Sequence, residues 1–344
     1  ALSLAALATF LCIAISGCEK PGASSATSQP SAAGRKITVA MLPKKIGIPY
    51  FTTYADGARA AARPLGNVDL IYDGPTDGSS EKAASMIEKW TLQGVDVIAV
   101  SANDPDVLAP AMKKAREKGV HVITWDSDTA PDTREFFVNQ ATAQDIGYAL
   151  VDTLAKDIAS AEKITDPKQA AGPVAIITAT LTAANQNAWM KFMNERLKEY
   201  PKLTLIAVKP SNEDQKLAFQ TAQDLMKAYE NLKGIFAISS SSFPGAAEAI
   251  KQAGKAGQVQ GTGFATPSDM RSLVEDGTVK SVILWNTNDL GYLTVEVARA
   301  VADGALKPGA TSFEAGKLGE KKIAGDNVLL GKILVFTKEN IDQY

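Results

Sequence analysis

Cysteine and histidine are scarce in this sequence of 344 residues, which has two cysteines and one histidine. Both cysteines, Cys12 and Cys18, lie close to the start, so we expect the rest of the chain to fold without a disulfide. His121 falls inside an apolar run that predicts a β-strand. These absences argue against a transition-metal site built from histidine and cysteine, and against a Ser-His-Asp triad.

An excess of either charge is also missing. The sequence has 36 Lys and Arg residues against 38 Asp and Glu residues, a formal net charge of -2. This balance gives no electrostatic reason to expect nucleic acid or an anionic membrane surface as a partner. No P-loop pattern occurs, and the segment Pro43–Pro49 after the first predicted strand lacks the glycine fingerprint of dinucleotide-binding proteins. We therefore expect no nucleotide, no other cofactor and no metal.

The start of the chain differs in character from the rest. Residues 1–17 are almost continuously apolar, with the length of a signal-peptide core and too few residues for a comfortable transmembrane helix. The run ends in Ile15-Ser16-Gly17-Cys18, which resembles the lipobox of bacterial lipoproteins. That resemblance implies cleavage before Cys18 and lipidation of its thiol. Residues 18–35 are rich in serine, alanine, proline and glycine and predict a flexible tether. The alternative for the apolar run is a buried core helix.

From Lys36 onward, short β-branched runs alternate with alanine-rich helical segments. Such alternation predicts parallel sheets covered by helices on both faces. The pattern begins again near Asp145, after a fifth predicted strand at Glu135–Asn139. The predicted fold class is therefore α/β, with two successive Rossmann-like halves that each have their own parallel sheet.

One predicted strand ends in a group of residues suited to binding. The apolar run Val120–Thr124 leads directly into Trp125-Asp126-Ser127-Asp128. Because the carboxyl ends of parallel strands face the ligand crevice, we expect Asp126 and Asp128 at the mouth of a cleft, with Trp125 beside them. Carboxylates next to an aromatic ring suit a small polyhydroxylated ligand. The alternative is that Trp125 is a core residue and Asp126 only caps the next turn.

Polar and aromatic residues follow several other predicted strands in the same way. Lys44 and Lys45 come after the first strand, and the aromatic residues Tyr50 and Phe51 follow them. Later strands run into Asn185-Gln186-Asn187-Ala188-Trp189, the serine-rich segment Ser239–Pro244, and Trp285-Asn286. A helix cap explains one asparagine but not a run of amides followed by tryptophan. The repetition favours a ligand cleft over isolated structural roles.

The order and residue content of these segments resemble the sugar-binding proteins of bacterial ABC importers, the periplasmic type I binding-protein family. The resemblance is to its rhamnose-binding and autoinducer-2-binding branch in particular. The matching segments are Tyr72–Thr76, Val100–Asp106, Trp125–Asp128, Asn185–Trp189, Trp285-Asn286, Asp289–Tyr292, Gly325–Asn327 and Glu339–Asp342. They extend from the first predicted strand to the end of the chain, so the resemblance covers nearly everything after the tether.

The resemblance also implies which residues hold the ligand. In the autoinducer-2 branch these are a lysine after strand one, an aspartate after strand four, an Asp-Gln pair and a Pro-x-Ala turn. The corresponding residues are Lys44, Asp126, Gln186, Pro244 and Ala246. The full candidate set adds Phe51, Asn103, Trp125, Asp128, Asn185, Trp189, Trp285 and Asn286.

Asn185 departs from the autoinducer-2 branch, which has aspartate at that position. The Asn-Gln-Asn-x-Trp run and the pair Trp285-Asn286 look more like the rhamnose branch. The expected ligand is therefore rhamnose or a related deoxysugar, and autoinducer-2 is the alternative.

The family architecture implies two lobes joined by three crossings, which we expect near Gln140, Ala265 and Asn286. The expected first lobe is 36–140 plus 266–286, and the expected second lobe is 141–265 plus 287–344. A sugar bound between them favours a hinge-closed state. The resemblance further implies a monomer outside the cytoplasm, held to the membrane by lipid alone, that docks on an ABC permease in the inner membrane.

Three other functions share parts of this pattern. A sugar-processing enzyme would use Asp126 and Asp128 as acid and base, although their spacing in the sequence fixes neither distance nor pKa. A repressor effector domain has the same fold but needs a helix-turn-helix where this chain has a signal-like segment. A chemoreceptor-coupled sensor is not separated from an import component by the sequence. We expect a binding protein rather than an enzyme.

Overall fold

The computed structural model describes residues 35–344. The predicted signal peptide, the lipidation of Cys18 and nearly all of the predicted tether lie outside the described residues. Within the described part, strands and helices alternate as the sequence predicts. The first elements are β1 (Ile37–Leu42), α1 (Pro49–Leu65), β2 (Val68–Tyr72), α2 (Ser80–Gln93), β3 (Val97–Val100), α3 (Pro105–Glu117), β4 (His121–Trp125) and β5 (Phe137–Asn139).

The middle of the chain continues the alternation. Its elements are α4 (Ala143–Glu162), β6 (Gly172–Thr178), α5 (Ala184–Leu197), β7 (Leu203–Pro210), α6 (Gln215–Ala228), β8 (Gly234–Ala237), α7 (Ser242–Gln252), β9 (Gln260–Gly263), α8 (Pro267–Glu275) and β10 (Val282–Leu284). The last part has one long helix and four short strands: α9 (Thr287–Ala302), β11 (Ser312–Glu314), β12 (Glu320–Ala324), β13 (Asn327–Leu329) and β14 (Leu334–Phe336).

The first lobe is built on an eight-stranded sheet with the order β11-β12-β13-β5-β4-β3-β1-β2. Strands β1 to β5 and β13 pair in parallel, whereas β11 and β12 form an antiparallel edge. Every residue of β3 is fully buried, because helices cover both faces of the sheet. Apolar residues of α2 and α3 form a core on one face, and residues of α1 pack on the other.

The second lobe contains a four-stranded parallel sheet with the order β7-β6-β8-β9. Beside it, β10 and β14 form a short antiparallel pair. A single bridge from Phe264, just after β9, to Ile283 in β10 joins the two ladders. Two α/β lobes, each with its own parallel sheet, confirm the predicted fold class.

The structure corrects the lobe boundaries expected from the sequence. Residues 287–344 do not all belong to the second lobe, because α9 packs on α1 and β13 pairs with β5 in the first sheet. Residues 266–286 do not belong to the first lobe, because α8 packs on α7, and β10 continues from β9. The local sequence gives no signal for these long-range pairings. The boundaries expected from the sequence therefore assign both segments to the wrong lobe.

The close contact between α1 and α9 depends on two glycines. A Cβ atom on Gly57 would lie 1.9 Å from the backbone oxygen of Asn288, and one on Gly291 would lie 2.0 Å from the backbone oxygen of Tyr54. Only glycine allows the two helix backbones to approach this closely. The contact fixes the start of α9, and with it Trp285, beside the start of α1.

Three crossings therefore join the lobes at β5–α4, β10–α9 and β13–β14. The first and second agree with the expected crossings near Gln140 and Asn286. The crossing expected near Ala265 is wrong, because the chain passes from β9 to α8 within the second lobe. The third crossing lies instead between Leu329 and Leu334.

Candidate ligand-binding site

A small cavity of about 30 Å³ lies between the lobes at the carboxyl ends of β1, β4, β6 and β8. Both lobes and the second crossing contribute side chains to it. The lining residues are Lys44, Tyr50, Phe51, Asp126, Asn185, Gln186, Trp189, Glu213, Ile238, Ser239, Ser240, Phe264, Leu284 and Trp285. Polar groups converge within an aromatic frame, which is the lining typical of small-molecule sites.

Asp126 is the polar centre of the first-lobe wall. It follows β4 directly and has a left-handed backbone with φ of 59°, a conformation that aspartate tolerates better than most residues. Its Oδ1 accepts a hydrogen bond from the Tyr50 hydroxyl at 2.9 Å, and its Oδ2 accepts one from the Ser101 hydroxyl at 2.9 Å. Lys44 Nζ lies 3.8 Å from Oδ2. The buried carboxylate is thus held by two hydroxyl donors and one cation before any ligand arrives.

Asn185 connects the two lobes across the cavity. Its Oδ1 accepts a hydrogen bond from Lys44 Nζ at 3.2 Å, and its Nδ2 donates to the backbone oxygen of Asp126 at 3.4 Å. Nearer the rim, Lys45 Nζ donates to the backbone oxygen of Glu213 at 3.2 Å. These contacts join residues of the first lobe to residues of the second, so the lobes touch directly on either side of the cavity.

Gln186 is fixed by its own lobe. Its Oε1 accepts hydrogen bonds from the Thr178 hydroxyl and from the backbone N–H of Ala179, the latter at 2.7 Å. Because the oxygen is occupied, the amide NH₂ group is the part of Gln186 that remains to donate to a ligand. The backbone N–H of Gln186 donates to Asn185 Oδ1 at 2.9 Å, which orients the neighbouring side chain.

Aromatic rings form the apolar part of the cavity. Trp285 lies 6.0 Å from Tyr50, 6.1 Å from Trp189 and 5.4 Å from Phe264, measured between ring centroids, and its Nε1 donates to the Tyr50 hydroxyl at 3.1 Å. Burial and the Asp126 carboxylate raise the pKa of Tyr50 well above its usual value, so this phenol stays protonated and acts as a donor to Asp126. A ligand with one apolar face can pack on such rings while its hydroxyls meet the polar wall.

Trp125 does not line the cavity, contrary to the sequence-based expectation. It is fully buried, stacks on Tyr54 with ring centroids 3.6 Å apart, and donates from Nε1 to the backbone oxygen of Ala99 at 3.2 Å. Side chains alternate between the faces of a strand, and Trp125, as the last residue of β4, points into the core beneath α1. The alternative reading of Trp125 as a core residue is therefore the correct one.

Asp128 also lies outside the cavity. It forms a bidentate ion pair with Arg134, whose Nε and Nη2 lie 2.9 and 2.6 Å from the two carboxylate oxygens. Arg134 pairs with Asp326 as well. Asp128 faces a neighbouring depression beside the first crossing, together with Gln140 and Asn139. Its carboxylate is thus engaged in holding the end of β4 to the β12–β13 turn.

The remaining candidates that lie elsewhere have local structural roles. Asn103 donates from Nδ2 to the backbone oxygen of Gly78 at 2.7 Å. Asn286 caps α9, accepting from the backbone N–H of Asp289 at 3.0 Å. Pro244 faces a separate depression at the rim, and Ala246 is buried in the second-lobe core. Of the candidates, the structure brings together Lys44, Phe51, Asp126, Asn185, Gln186, Trp189 and Trp285.

Glu213, Phe264 and the pair Ser239 and Ser240 line the cavity but were not in the candidate set. Glu213 follows β7, so it obeys the rule that residues at the carboxyl ends of parallel strands face the ligand crevice. It was missed because no aromatic residue or amide run marks the segment. Tyr50 was recognised only as an aromatic neighbour of Phe51, and its hydroxyl bond to Asp126 depends on the fold.

The histidine of this sequence lies away from the cavity. His121 begins β4, at the opposite end of that strand from Asp126, and pairs with Glu135 at 2.9 Å, which raises the pKa of the imidazole. In residues 35–344 no cluster of three or more histidine, cysteine or acidic side chains has the geometry to hold a metal ion. No helix of this part combines the length and apolar character that a membrane span requires.

Two α/β lobes with three crossings and a buried polar-aromatic cavity between them are the arrangement of a protein that binds a small molecule between its lobes. Comparison with known proteins agrees. The periplasmic binding protein domain matches residues 39–306, so the chain belongs to the periplasmic binding protein family.

Curated and solved relatives give the same result. The ribose import binding protein RbsB of Salmonella typhimurium is 26% identical over 271 residues, covering 78% of this chain and 86% of that protein. The structure of LsrB from Clostridium saccharobutylicum in complex with AI-2 has a TM-score of 0.84 and 28% identity, covering 90% of this chain and 99% of that one. An ABC transporter solute-binding protein from Clostridium phytofermentas with bound L-rhamnose has a TM-score of 0.83 and 30% identity, covering 90% and 98%. These relatives are binding proteins, which confirms that the chain is not an enzyme.

Proposed function

We propose that this protein is the solute-binding component of a bacterial ABC sugar importer, and that its ligand is L-rhamnose or a related deoxysugar. The observation that carries the proposal is the cavity itself. Lys44, Asp126 and Asn185 form a hydrogen-bonded polar cluster opposite the rings of Trp189 and Trp285. Hydroxyls of a sugar meet charged donors and acceptors on one side, and its C–H face or methyl group packs on aromatic carbon on the other.

The choice of rhamnose depends on Asn185. An aspartate there would add a carboxylate acceptor 3 Å or so from Lys44, whereas the amide offers one oxygen that already accepts from Lys44 and from Gln186 N–H. A ligand that needs a second carboxylate next to Lys44 therefore loses a strong hydrogen bond, worth about 1–3 kcal/mol. The relative bound to L-rhamnose and the relative bound to AI-2 support the two candidates about equally by fold. Autoinducer-2 is accordingly the second candidate.

Ligand binding favours the closed arrangement of the lobes, because only then do Asp126 and Gln186 reach the same molecule. The direct hydrogen bonds from Lys44 and Lys45 to the second lobe can stabilise the closed arrangement even without a ligand. A sugar between the lobes adds contacts to both walls and shifts the population further toward closure.

The cellular setting follows from family membership and from the start of the sequence. Members of this family work outside the cytoplasm, and we propose that lipid on Cys18 holds the protein at the membrane as a monomer. Its partner is the permease of the importer, which receives the closed, loaded form.

The test is a thermal-shift and calorimetry panel on the purified protein with L-rhamnose, D-fucose, D-ribose, D-galactose and autoinducer-2. A ligand at about 100 times its Kd stabilises the folded state by about 2.7 kcal/mol, which such a panel resolves. We expect L-rhamnose to raise the Tm of the wild type and to leave that of Asp126→Ala unchanged. Binding of autoinducer-2 alone assigns the second candidate, and no binding of any sugar refutes the proposed function.

A further inference from the structure

The second-lobe wall of the cavity contains a carboxylate without a cation. Glu213 is buried, lines the cavity and accepts a hydrogen bond at Oε2 from the Ser241 hydroxyl at 2.8 Å. Within the described residues it forms no ion pair, since the nearby Lys45 donates to its backbone oxygen rather than to its side chain. Burial of an ionised carboxylate with a single hydroxyl donor is costly unless further donors reach it.

The backbone holds Glu213 in this position. Asn212 and Glu213 are consecutive residues in the left-handed region, with φ of 54° and 52°. This conformation is uncommon for residues other than glycine, although asparagine tolerates it, and such residues cluster at functional sites. The turn after β7 thus adopts a less favourable backbone conformation that places an acidic residue in the cavity lining instead of in solvent.

The charges of the cavity follow from its lining. Its only ionisable acids and bases among the described lining residues, phenols aside, are Lys44, Asp126 and Glu213, one cation and two carboxylates. Lys44 lies beside Asp126, and within the described residues the Glu213 carboxylate has no cation within ion-pair distance, although the Lys45 ammonium contacts its backbone oxygen. A buried cavity lined by two carboxylates and one cation repels anionic ligands and accepts uncharged molecules that donate hydroxyl hydrogens.

We infer that Glu213 is a specificity-determining residue: it accepts ligand hydroxyls from the second-lobe side, and its unpaired carboxylate selects uncharged sugars over sugar phosphates and sugar acids. This inference rests on the proposed function and narrows its ligand class. With Glu213, each wall of the binding site has a carboxylate: Asp126 on the first-lobe wall and Glu213 on the second-lobe wall. Asn185 contributes only an amide.

Glu213→Gln tests the inference because the amide keeps the shape of the side chain and an acceptor for Ser241. We expect its Kd for L-rhamnose, measured by calorimetry, to rise about 10- to 100-fold, as for loss of a hydrogen bond to a charged group. The unfolding midpoint without sugar should stay the same or rise, because a buried carboxylate without an ion pair has been removed. Glu230→Gln, an exposed glutamate of the same lobe, is the matched control and should change neither quantity.

L-Rhamnose 1-phosphate serves as the anionic probe. The ratio of its Kd to that of L-rhamnose should be smaller for Glu213→Gln than for the wild type. If Glu213→Gln binds both probes as the wild type does, or if it loses sugar binding only together with folded stability, the inference is overturned. If the wild type binds neither L-rhamnose nor any sugar of the panel, the proposed function fails and this inference fails with it.

Discussion

The two walls of the cavity bury carboxylates in different ways. On the first-lobe wall, Asp126 has two hydroxyl donors and a lysine 3.8 Å away. On the second-lobe wall, the Glu213 carboxylate has one hydroxyl donor and forms no ion pair within the described residues. The first wall is complete without a ligand, whereas the second has an acceptor that only a ligand, or water, can satisfy.

Asp157 is another buried carboxylate of the second lobe that forms no ion pair within the described residues. It lies in α4 and is buried, and the Ser281 hydroxyl donates to it at 2.5 Å. Burial raises the pKa of Asp157 to about 6. The comparison teaches that buried carboxylates of this protein differ in their partners: Asp126 has a lysine within ion-pair distance, whereas Asp157 has only a hydroxyl donor and a raised pKa.

The largest effect is expected for Asp126→Ala. The substitution leaves Lys44 buried without its carboxylate and leaves the hydroxyls of Tyr50 and Ser101 without an acceptor. Breaking a buried ion pair from one side costs about 3–5 kcal/mol, so we expect a loss of that size in urea-induced unfolding, with no detectable sugar binding. Asp106→Ala, an exposed aspartate of the same lobe, should lose less than about 1 kcal/mol. Equal losses of unfolding free energy for the two variants would show that Asp126 does not form the buried contacts described.

Asp157→Asn tests the raised pKa of this buried carboxylate through the pH dependence of the free energy of unfolding. The folded-state pKa of about 6 exceeds the ordinary value of 3.8, so the stabilising contribution of the protonated acid is complete below pH 4 and is lost as the pH rises through 6. The amide mimics the protonated acid, so at pH 8 we expect Asp157→Asn to be about 2–3 kcal/mol more stable than the wild type. The gain should vanish at pH 4 in urea titrations. Asp224→Asn, exposed in the same lobe, should show no such pH-dependent gain.

Gly57→Ala tests the helix contact that assigns α9 to the first lobe. On an exposed helix face alanine is favoured over glycine by about 1 kcal/mol, but here its Cβ would meet the backbone oxygen of Asn288. We expect a net loss of about 2 kcal/mol by chemical denaturation, as for an overpacked contact. Ala60→Gly, on the exposed face of α1, measures the propensity alone. Stabilisation by Gly57→Ala would contradict the α1–α9 packing.

The smallest effect concerns the ligand preference. Asn185→Asp places a carboxylate where Lys44 Nζ now meets an amide oxygen at 3.2 Å. It would make the second-lobe wall resemble the first, with a paired carboxylate of its own. We expect the affinity ratio between autoinducer-2 and L-rhamnose to move about tenfold toward autoinducer-2, measured by paired calorimetric titrations. A shift in the opposite direction would show that the amide does not favour the deoxysugar.

Much of this site could be predicted from where strands end. Lys44, Asp126 and Gln186 follow β1, β4 and β6, and the carboxyl ends of parallel strands converge on one crevice whatever the details of packing. The same rule placed Trp125 wrongly, because a strand sends neighbouring side chains to opposite faces, and one residue decides between core and cavity.

Other features depend on long-range contacts that have no local signal. The return of α9 and β13 to the first lobe rests on helix packing at Gly57 and Gly291 and on pairing with a strand far earlier in the chain. The role of Glu213 rests on two consecutive left-handed residues, which the letters Asn-Glu do not announce. The sequence alone predicts where the strands end. It does not predict which carboxylates form an ion pair, because the partners come from distant parts of the chain.

A crystal structure of the protein grown with L-rhamnose would test the central claim most directly. We predict a single sugar between the lobes, with hydroxyls within hydrogen-bond distance of Asp126 and Glu213 and its methyl group against Trp189 or Trp285. A sugar bound in the depression beside Asp128, or one that leaves Glu213 without a ligand contact, would contradict this description of the two walls.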